Sequence, residues 1–548
     1  MSDQSTQVFR HRPRPDGWSL GAVLIAGLVL MPVLAVVWFA FHPTENIWPH
    51  LIATTLPRYL GNTLLLMAGV GLLTAAAGTG AAWLVVNYIF PGRALLQWAL
   101  LLPLAVPAYV AAYALVDFLE YAGPVQTALR ATFGWDSAAD YRFPAIRTRG
   151  AAILVLSGAL YPYVYLLARA AFREQSGAAA EVARALGAGP FARFWRVGLP
   201  LARPAIAAGV AIAMMETLAD FGAVEHFAVQ TLTTGIFSVW LQAGNLGGAA
   251  QISTVALALI VLLVTLEKIS RRRLRHAGAG RGIRPVVPVR LSGWQGALAT
   301  IACLIPFAWG FLLPVGVLLG HAVDAAAWVE PGLARALLHS LGVGGIAALV
   351  TVVLGLFMVY GTRLSGHRLP LLLLPVTSIG YAAPGAVLGI GILIPLAAFD
   401  NALADAVVAA TGQDPGLILT GSTAALILAY VVRFFAIAQG AADGALGRIP
   451  PSLPMAARSL GRTAGQTLRA VHLPLMRASI GSALLLVFVD CVKELPATLI
   501  LRPFGYETLA TRVHARARLE DIAGAAPAAL TITLVGLLAV ALLARANR

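Results

Sequence analysis

The stretch "EVARALGAGPFARFWRVGLP", Glu181–Pro200, is polar, basic and punctuated by glycine, yet it lies between apolar runs long enough to cross a bilayer. The chain around it has 548 residues, of which 59% are hydrophobic and 11% charged. Its mean hydropathy is +0.81. Such a composition excludes an ordinary soluble domain and predicts an all-α polytopic membrane protein. The first apolar run, Trp18–Phe41, exceeds the roughly 18 residues a spanning helix requires. Arg10, Arg12 and Arg14 precede it as in a signal peptide. The run is too long for that and ends in Trp38, Phe39 and Phe41, so it reads as a retained helix with an interfacial aromatic end.

Hydropathy places spans near 18–41, 62–90, 94–119, 150–172, 204–225 and 250–268, then 293–320, 336–361, 369–398, 419–440, 478–500 and 523–545. Twelve helices result. Between the sixth and seventh lies the basic joint "KISRRRLRHAGAGRGIRPVVPVR", which the positive-inside rule puts in the cytoplasm. The net charge of +15 is therefore an orientation signal and not a nucleic-acid footprint. With the basic N-terminus and this joint both inside, each half crosses six times, and the C-terminus is also cytoplasmic. Basic outer loops at Arg142–Arg149 and Arg512–Arg518 run against the rule.

The halves repeat. "GNTLLLMAGVGLLTAAAG" answers to "LHSLGVGGIAALVTVVLG", with Asn62 against His339 and Gly78 against Gly355. The opening stretch finds its copy in "MAARSLGRTAGQTLRAVHLP", Met455–Pro474. The expected organisation is a first repeat at 1–267, a linker at 268–292 and a second repeat at 293–548, the two parallel in topology. In each copy a glycine, Gly187 or Gly461, supplies a positive-φ turn between two helical pieces. A Leu-Pro pair, Leu199–Pro200 or Leu473–Pro474, is expected to end the second piece before the next membrane helix. One apolar anchor, Val197 or Val471, sits just before it. Two copies with one spacing, at 178–200 and 452–474 on the cytoplasmic side, point to docking loops for a partner.

Glu181, Ala183, Gly187, Val197, Leu199 and Pro200 resemble the EAA motif of ABC importer permeases: E-A-A, three residues, G, nine residues, I, one residue, L-P. Ala456, Ala457, Gly461, Val471, Leu473 and Pro474 keep the pattern, whereas Met455 replaces its glutamate and Val182 departs at the second position of the first copy. The resemblance implies that both loops are coupling helices seated in a cytoplasmic ATPase dimer. The chain is not that ATPase. A Walker A loop needs Gly-Lys-Ser/Thr, and the two lysines, Lys268 and Lys493, precede Ile and Glu. ATP and magnesium are expected in the partner, and no cofactor in this chain.

Glu216 and Asp220, and their repeat counterparts Asp490 and Glu494, lie in apolar runs where a bilayer disfavours them. Their i, i+4 spacing predicts that each pair shares one helix face, converging on a central path. Oxygen ligands of that kind suit a hard cation in transit. The alternative is that Lys493 neutralises Asp490 and an arginine neutralises the first pair, or that both pairs sit near the outer interface. Tyr161, Tyr163 and Tyr165 read mainly as packing residues. Pro103, Pro107, Pro375 and Pro384 mark kinks or breaks. Histidines are scattered, and Cys303 and Cys491 have no CxxC partner, so no metal ligands are assigned.

"LPLAVPAYVAAYALVDFLEYAGPVQT", "ETLADFGAVEHFAVQTLTTGIFSVW" and "DCVKELPATLILRPFGYETLATRV" are similar to the fused two-domain permeases of bacterial ferric-iron ABC importers. That resemblance implies ferric iron delivered by a periplasmic binding protein, an inner-membrane location and alternating access. Thiamine, phosphonate and polyamine permeases share the layout. An ion-gradient-driven secondary transporter is the rival from another class, although it leaves the duplicated loop unexplained. A sensory protein built on a permease scaffold is a third possibility.

Overall fold

The structure, a computed structural model, describes residues 17–43, 45–175, 177–272, 287–323, 325–365, 368–377, 380 and 383–546. The N-terminal arginines and most of the basic joint lie outside the described residues. Among these residues eleven helices are long and apolar enough to cross a membrane. A twelfth is formed if Arg93–Ala105 and Ala108–Phe133, which meet at 94°, count as one span. Helices dominate because a bilayer leaves backbone polar groups no partner but one another.

The 94° break falls where the prolines put it. Pro103 opens a short 3-10 turn, Val106 is extended, and Pro107 stands just ahead of the next helix at ψ 143°. Its repeat counterpart Pro384 does the same at ψ 144°, ahead of Gly385–Thr411, while Pro375 lies inside the helix Arg368–Thr377.

Leu-Pro pairs behave differently from expectation. Leu199–Pro200 does not end the elbow's second piece, because helix runs on from Pro190 to Ala219. The same holds from Ala464 to Lys493 through Leu473–Pro474. A wide π turn, Phe194–Gly198 or Leu468–His472, lies just before each pair. Proline has no N–H and its ring clashes with the carbonyl four residues back, and widening the preceding turn removes both conflicts. Leu51–Thr55 before Leu56–Pro57, and Ala308–Leu312 before Leu313–Pro314, repeat the device.

The repeat alignment acquires a physical meaning. Asn62 donates to the Gln230 carbonyl at 2.8 Å, and His339 meets the Glu507 carbonyl at 2.9 Å. One residue on, Thr63 and Ser340 accept from the backbone of Leu232 and Leu509. Capping boxes at Thr231/Thr234 and Thr508/Thr511 start the matching short helices. Gly78 and Gly355 each sit where a second helix crosses so closely that an added Cβ would meet Val164 at 2.7 Å or Ala438 at 2.9 Å.

The halves interlock through their first helices. Trp18, on Gly17–Phe41, stacks on Phe357 at 4.9 Å and meets Tyr360 edge-on at 5.3 Å. Reciprocally, Trp309, on Gly293–His321, donates to the Leu154 carbonyl at 3.0 Å, and His321 meets Asp117 at 2.7 Å. The two largest apolar cores accordingly draw residues from both repeats: Val110 packs in one with Leu318 and Val513, and Ala26 in the other with Val387.

Elbows, linker end and the close of Trp48–Asn87 share one face, where Tyr88–Ile89 pairs in parallel with Val289–Arg290. The opposite face holds the basic loops that ran against the positive-inside rule, and carboxylates offset them. Arg512, 6% exposed, binds Glu330 at 2.5 Å and Glu507 at 2.8 Å. Arg516 pairs with Glu330 and, at 2.8 Å, with Asp521. The Gly524 N–H and the Arg516 guanidinium hold the Asp521 carboxyl below the usual carboxylate range. Arg147 spans the halves, at 2.8 Å from Glu120 and 3.2 Å from Glu520. Arg512→Met is expected to destabilise the protein by about 1–3 kcal/mol through charged hydrogen bonds lost by two carboxylates. Arg147→Met, at a half-exposed site, should cost little. Thermal unfolding in detergent would rank them, and equal melting temperatures would remove Arg512 as an anchor.

Candidate coupling elbows and translocation path

Each elbow is built the same way. Helix Gly177–Ala185 ends in a reversal at Gly187, φ +81°, where the Gly187 N–H donates to Arg184 and the Ala188 N–H to Ala183. Helix Ser452–Ser459 ends at Gly461, φ +80°, with Gly461 donating to Arg458 and Arg462 to Ala457. This left-handed cap is the turn expected from sequence, and it satisfies carbonyls at the helix end. Ala183 and Ala457 supply matching acceptors, and Ala456 accepts from Leu460. Val197 and Val471 are half-buried. Behind them Gly198 abuts the Trp83 ring, and in the second copy His472 meets Tyr360 at 5.2 Å.

Outward, the elbows present Glu181, Leu186, Phe191 and Trp195 in the first copy and Met455 and Leu460 in the second. An apolar stripe exposed on a loop face fits a partner protein. The copies are unequal: in register with Phe191 and Trp195 the second elbow carries Gly465 and Arg469.

Between the halves lies a cavity of about 130 Å³, whose lining includes Glu216, Asp220, Asp490 and Glu494. All four sequence-assigned carboxylates thus converge. They do not lie as paired faces of two helices. Helix Leu199–Ala219 stops short of Asp220, and Leu473–Lys493 short of Glu494, where the backbone turns extended. The spans drawn at 204–225 and 478–500 are therefore too long at this end. The cause is local: each carboxylate caps the short helix that follows. Asp220 Oδ1 accepts from the Ala223 and Val224 N–H groups at 3.0 and 3.1 Å. Glu494 accepts from Ala497 and Thr498 N–H, both at 3.1 Å, and from the Thr498 hydroxyl at 2.9 Å. A carboxyl oxygen at the start of a helix takes up backbone N–H groups that lack an intrahelical partner, which continuing the preceding helix would forfeit.

Asp490 pairs with Lys493 at 2.7 Å. An arginine is present too, but Arg433 lies 3.7 Å from Glu494 and not on the first pair. Arg433 escaped the sequence reading. Its signal was a lone guanidinium inside the apolar run "ALILAYVVRFFAIA". Tyr163 lines the cavity, whereas Tyr161 and Tyr165 are fully buried. Tyr165 donates to the Gln97 carbonyl at 2.9 Å. Among the described residues no three His, Cys, Asp or Glu side chains are grouped closely enough to hold a metal ion. The four carboxylates line one cavity. A second cavity, of about 620 Å³, shares Leu104, Tyr163, Asp490 and Lys493 with the first and extends toward the elbows past Arg169 and Arg173. On the other side the Tyr113 hydroxyl meets His514 at 3.0 Å, joining the two halves.

Residues 69–276, which include the first elbow, match the family of binding-protein-dependent transport system inner membrane components. The molybdenum transport system permease protein ModB of Escherichia coli is 32% identical over 35% of this chain and 85% of its own length. The chain belongs to this permease family. The permease is also similar along nearly its whole length to the Fe(3+)-transport system permease protein FbpB 2 of Haemophilus influenzae, 27% identical over 95% of this chain and 96% of the relative. The putative 2-aminoethylphosphonate transport system permease protein PhnV of Salmonella typhimurium is 31% identical over 42% of this chain and 78% of its own. The ModB and PhnV matches thus span a part of the permease, while the FbpB 2 match spans both repeats. As the membrane component of a transport system, the permease moves solute and is a multi-pass membrane protein.

Proposed function

We propose that this permease is the translocation subunit of an ATP-driven importer of ferric iron, set in the bacterial inner membrane with both termini in the cytoplasm. The observation that carries the reading is the pair of like-built elbows on one face, beneath a path lined by four carboxylates drawn equally from both halves. A cytoplasmic ATPase dimer grips the elbows, binds ATP and magnesium, and closes. The permease binds no cofactor of its own. Closure draws the elbows together and rocks the halves, which share interlocked cores and therefore move as packed bodies. The path then opens outward to a periplasmic binding protein and afterwards inward through the vestibule formed by the second cavity. Ferric iron is favoured over molybdenum or 2-aminoethylphosphonate because the relative covering nearly the whole chain carries iron in its name, and because carboxylate oxygens suit a hard cation. Lipid surrounds the outer helices, and no nucleic acid is involved.

The test is uptake of labelled ferric iron in cells lacking the chain, with and without its restoration. Restored uptake is expected. Glu216→Gln and Asp490→Asn, at equal membrane expression, should lower it by roughly an order of magnitude, about 1.4 kcal/mol in the rate-limiting barrier. Absence of iron uptake from a well-expressed chain supplied with its partners would exclude ferric iron and move the search to oxyanions, phosphonates, thiamine and polyamines. Uptake that persists after ATP depletion at a constant ion gradient would point to a secondary transporter instead.

A further inference from the structure

Lys493 is one of two lysines in the chain, and it stands in the path. It is the last residue of its membrane helix, at the point where the chain turns to let Glu494 cap the next segment. Its ammonium lies 2.7 Å from Asp490, and Glu216 of the other half also acts on it electrostatically. It lines both the carboxylate cavity and the vestibule that leads toward the elbows. The repeat does not require it, because the position in register is Ala219. Asp220 and Glu494 are engaged as helix caps, and of the two cavity acids that remain, Glu216 and Asp490, it is Asp490 that holds the Lys493 ammonium. A second feature points to a ligand at this place. Tyr109 lines the same cavity, and its buried hydroxyl has no hydrogen-bond partner among the described residues. A hydroxyl in that state costs free energy unless something it can bind enters the cavity.

We propose that Lys493 is the resident counter-ion of the empty path, its ammonium occupying the place on Asp490 that a cationic cargo takes. Cargo displaces the ammonium, which swings on its four-carbon stem into the vestibule, and the ammonium's return to Asp490 expels the cargo. The carboxylate is thus never left bare between turnovers, which in a low-dielectric site is costly. Cation binding also becomes weak enough for release, as transit demands. The Tyr109 oxygen is then a further ligand for the bound cation or its water.

The proposal rests on a cationic cargo but not on iron itself, so it is tested with terbium(III), a hard trivalent ion whose luminescence nearby tyrosine excites. The ion is titrated onto the detergent-solubilised full chain. If the ammonium holds Asp490 about nine-tenths of the time, Lys493→Met should bind terbium about ten-fold more tightly than the parent. Lys493→Arg should bind as the parent does, and Lys493→Met with Asp490→Asn should lose the gain. Lys493→Gln, which can still hydrogen-bond Asp490, serves if the Met variant does not fold, with the same sign expected. Unchanged or weaker terbium binding in the neutral variants overturns the counter-ion role. A chain that imports iron and yet shows that result loses this proposal alone, whereas failure of all variants to bind terbium removes the cationic path as well.

Discussion

Gly187→Val and Gly461→Val should each leave ATP hydrolysis running while solute uptake falls at least several-fold. Both glycines lie at φ near +80°. An added Cβ at either would meet nothing within 4 Å, so the whole effect is in the backbone. A β-branched residue held there costs roughly 1–3 kcal/mol. That is too little to unfold the permease and enough to re-aim the helix that precedes the turn. The elbow then no longer transmits closure of the ATPase to helix Pro190–Ala219, with which its second piece is continuous. Gly187→Asn, which tolerates the left-handed region, should retain most transport. The measurement is solute moved per ATP hydrolysed in proteoliposomes holding the full transporter. An unchanged ratio in both valine variants would mean that the elbow does not act as a rigid lever. Because Phe191 and Trp195 are exposed on the first elbow alone, Gly187→Val should be the more damaging of the two.

Gly310→Leu and Gly391→Leu should deplete folded permease from the membrane. A Cβ at Gly310 runs into the carbonyl of Gly158, and one at Gly391 into that of Pro32. In each case the obstacle is backbone of the other half, which cannot swing aside as a side chain can. Overpacking of this kind costs about 1–3 kcal/mol and more when the neighbour is fixed. Each contact involves a swapped first helix, Gly310 lying on Gly293–His321 and Gly391 facing Pro32 of Gly17–Phe41, so the loss falls on the assembly as a whole. Gly316→Leu is the control, since nothing lies within 4 Å of its Cβ. Size-exclusion profiles and melting temperatures of the three variants would decide. Equal behaviour of Gly310→Leu and Gly316→Leu would mean that the close crossing is not limiting for stability.

Legibility in the sequence followed the range of the interaction. The number of spans, the repeat, the breaks at Pro107 and Pro384 and the positive-φ turns at Gly187 and Gly461 were all readable, because each depends on hydropathy or on the backbone limits of one residue. Local reasoning overreached at Leu199–Pro200, where a widened turn lets proline sit inside a helix. It overreached again at Asp220 and Glu494, where side chains found backbone N–H groups just ahead and stopped the helices early.

Composition and periodicity by themselves determined that this chain is a duplicated, all-helical membrane protein with two glycine-turned loops of one build, since burial in lipid and a steric turn act residue by residue. Only the tertiary structure decided what the charged groups do. Whether an acid is a cap, half of an ion pair or the lining of a cavity depends on partners far along the chain, such as Arg512 with Glu330, His321 with Asp117, and Lys493 in one cavity with Glu216. Electrostatic energy in a low-dielectric interior depends on distance in space, and spacing along the chain does not encode that distance.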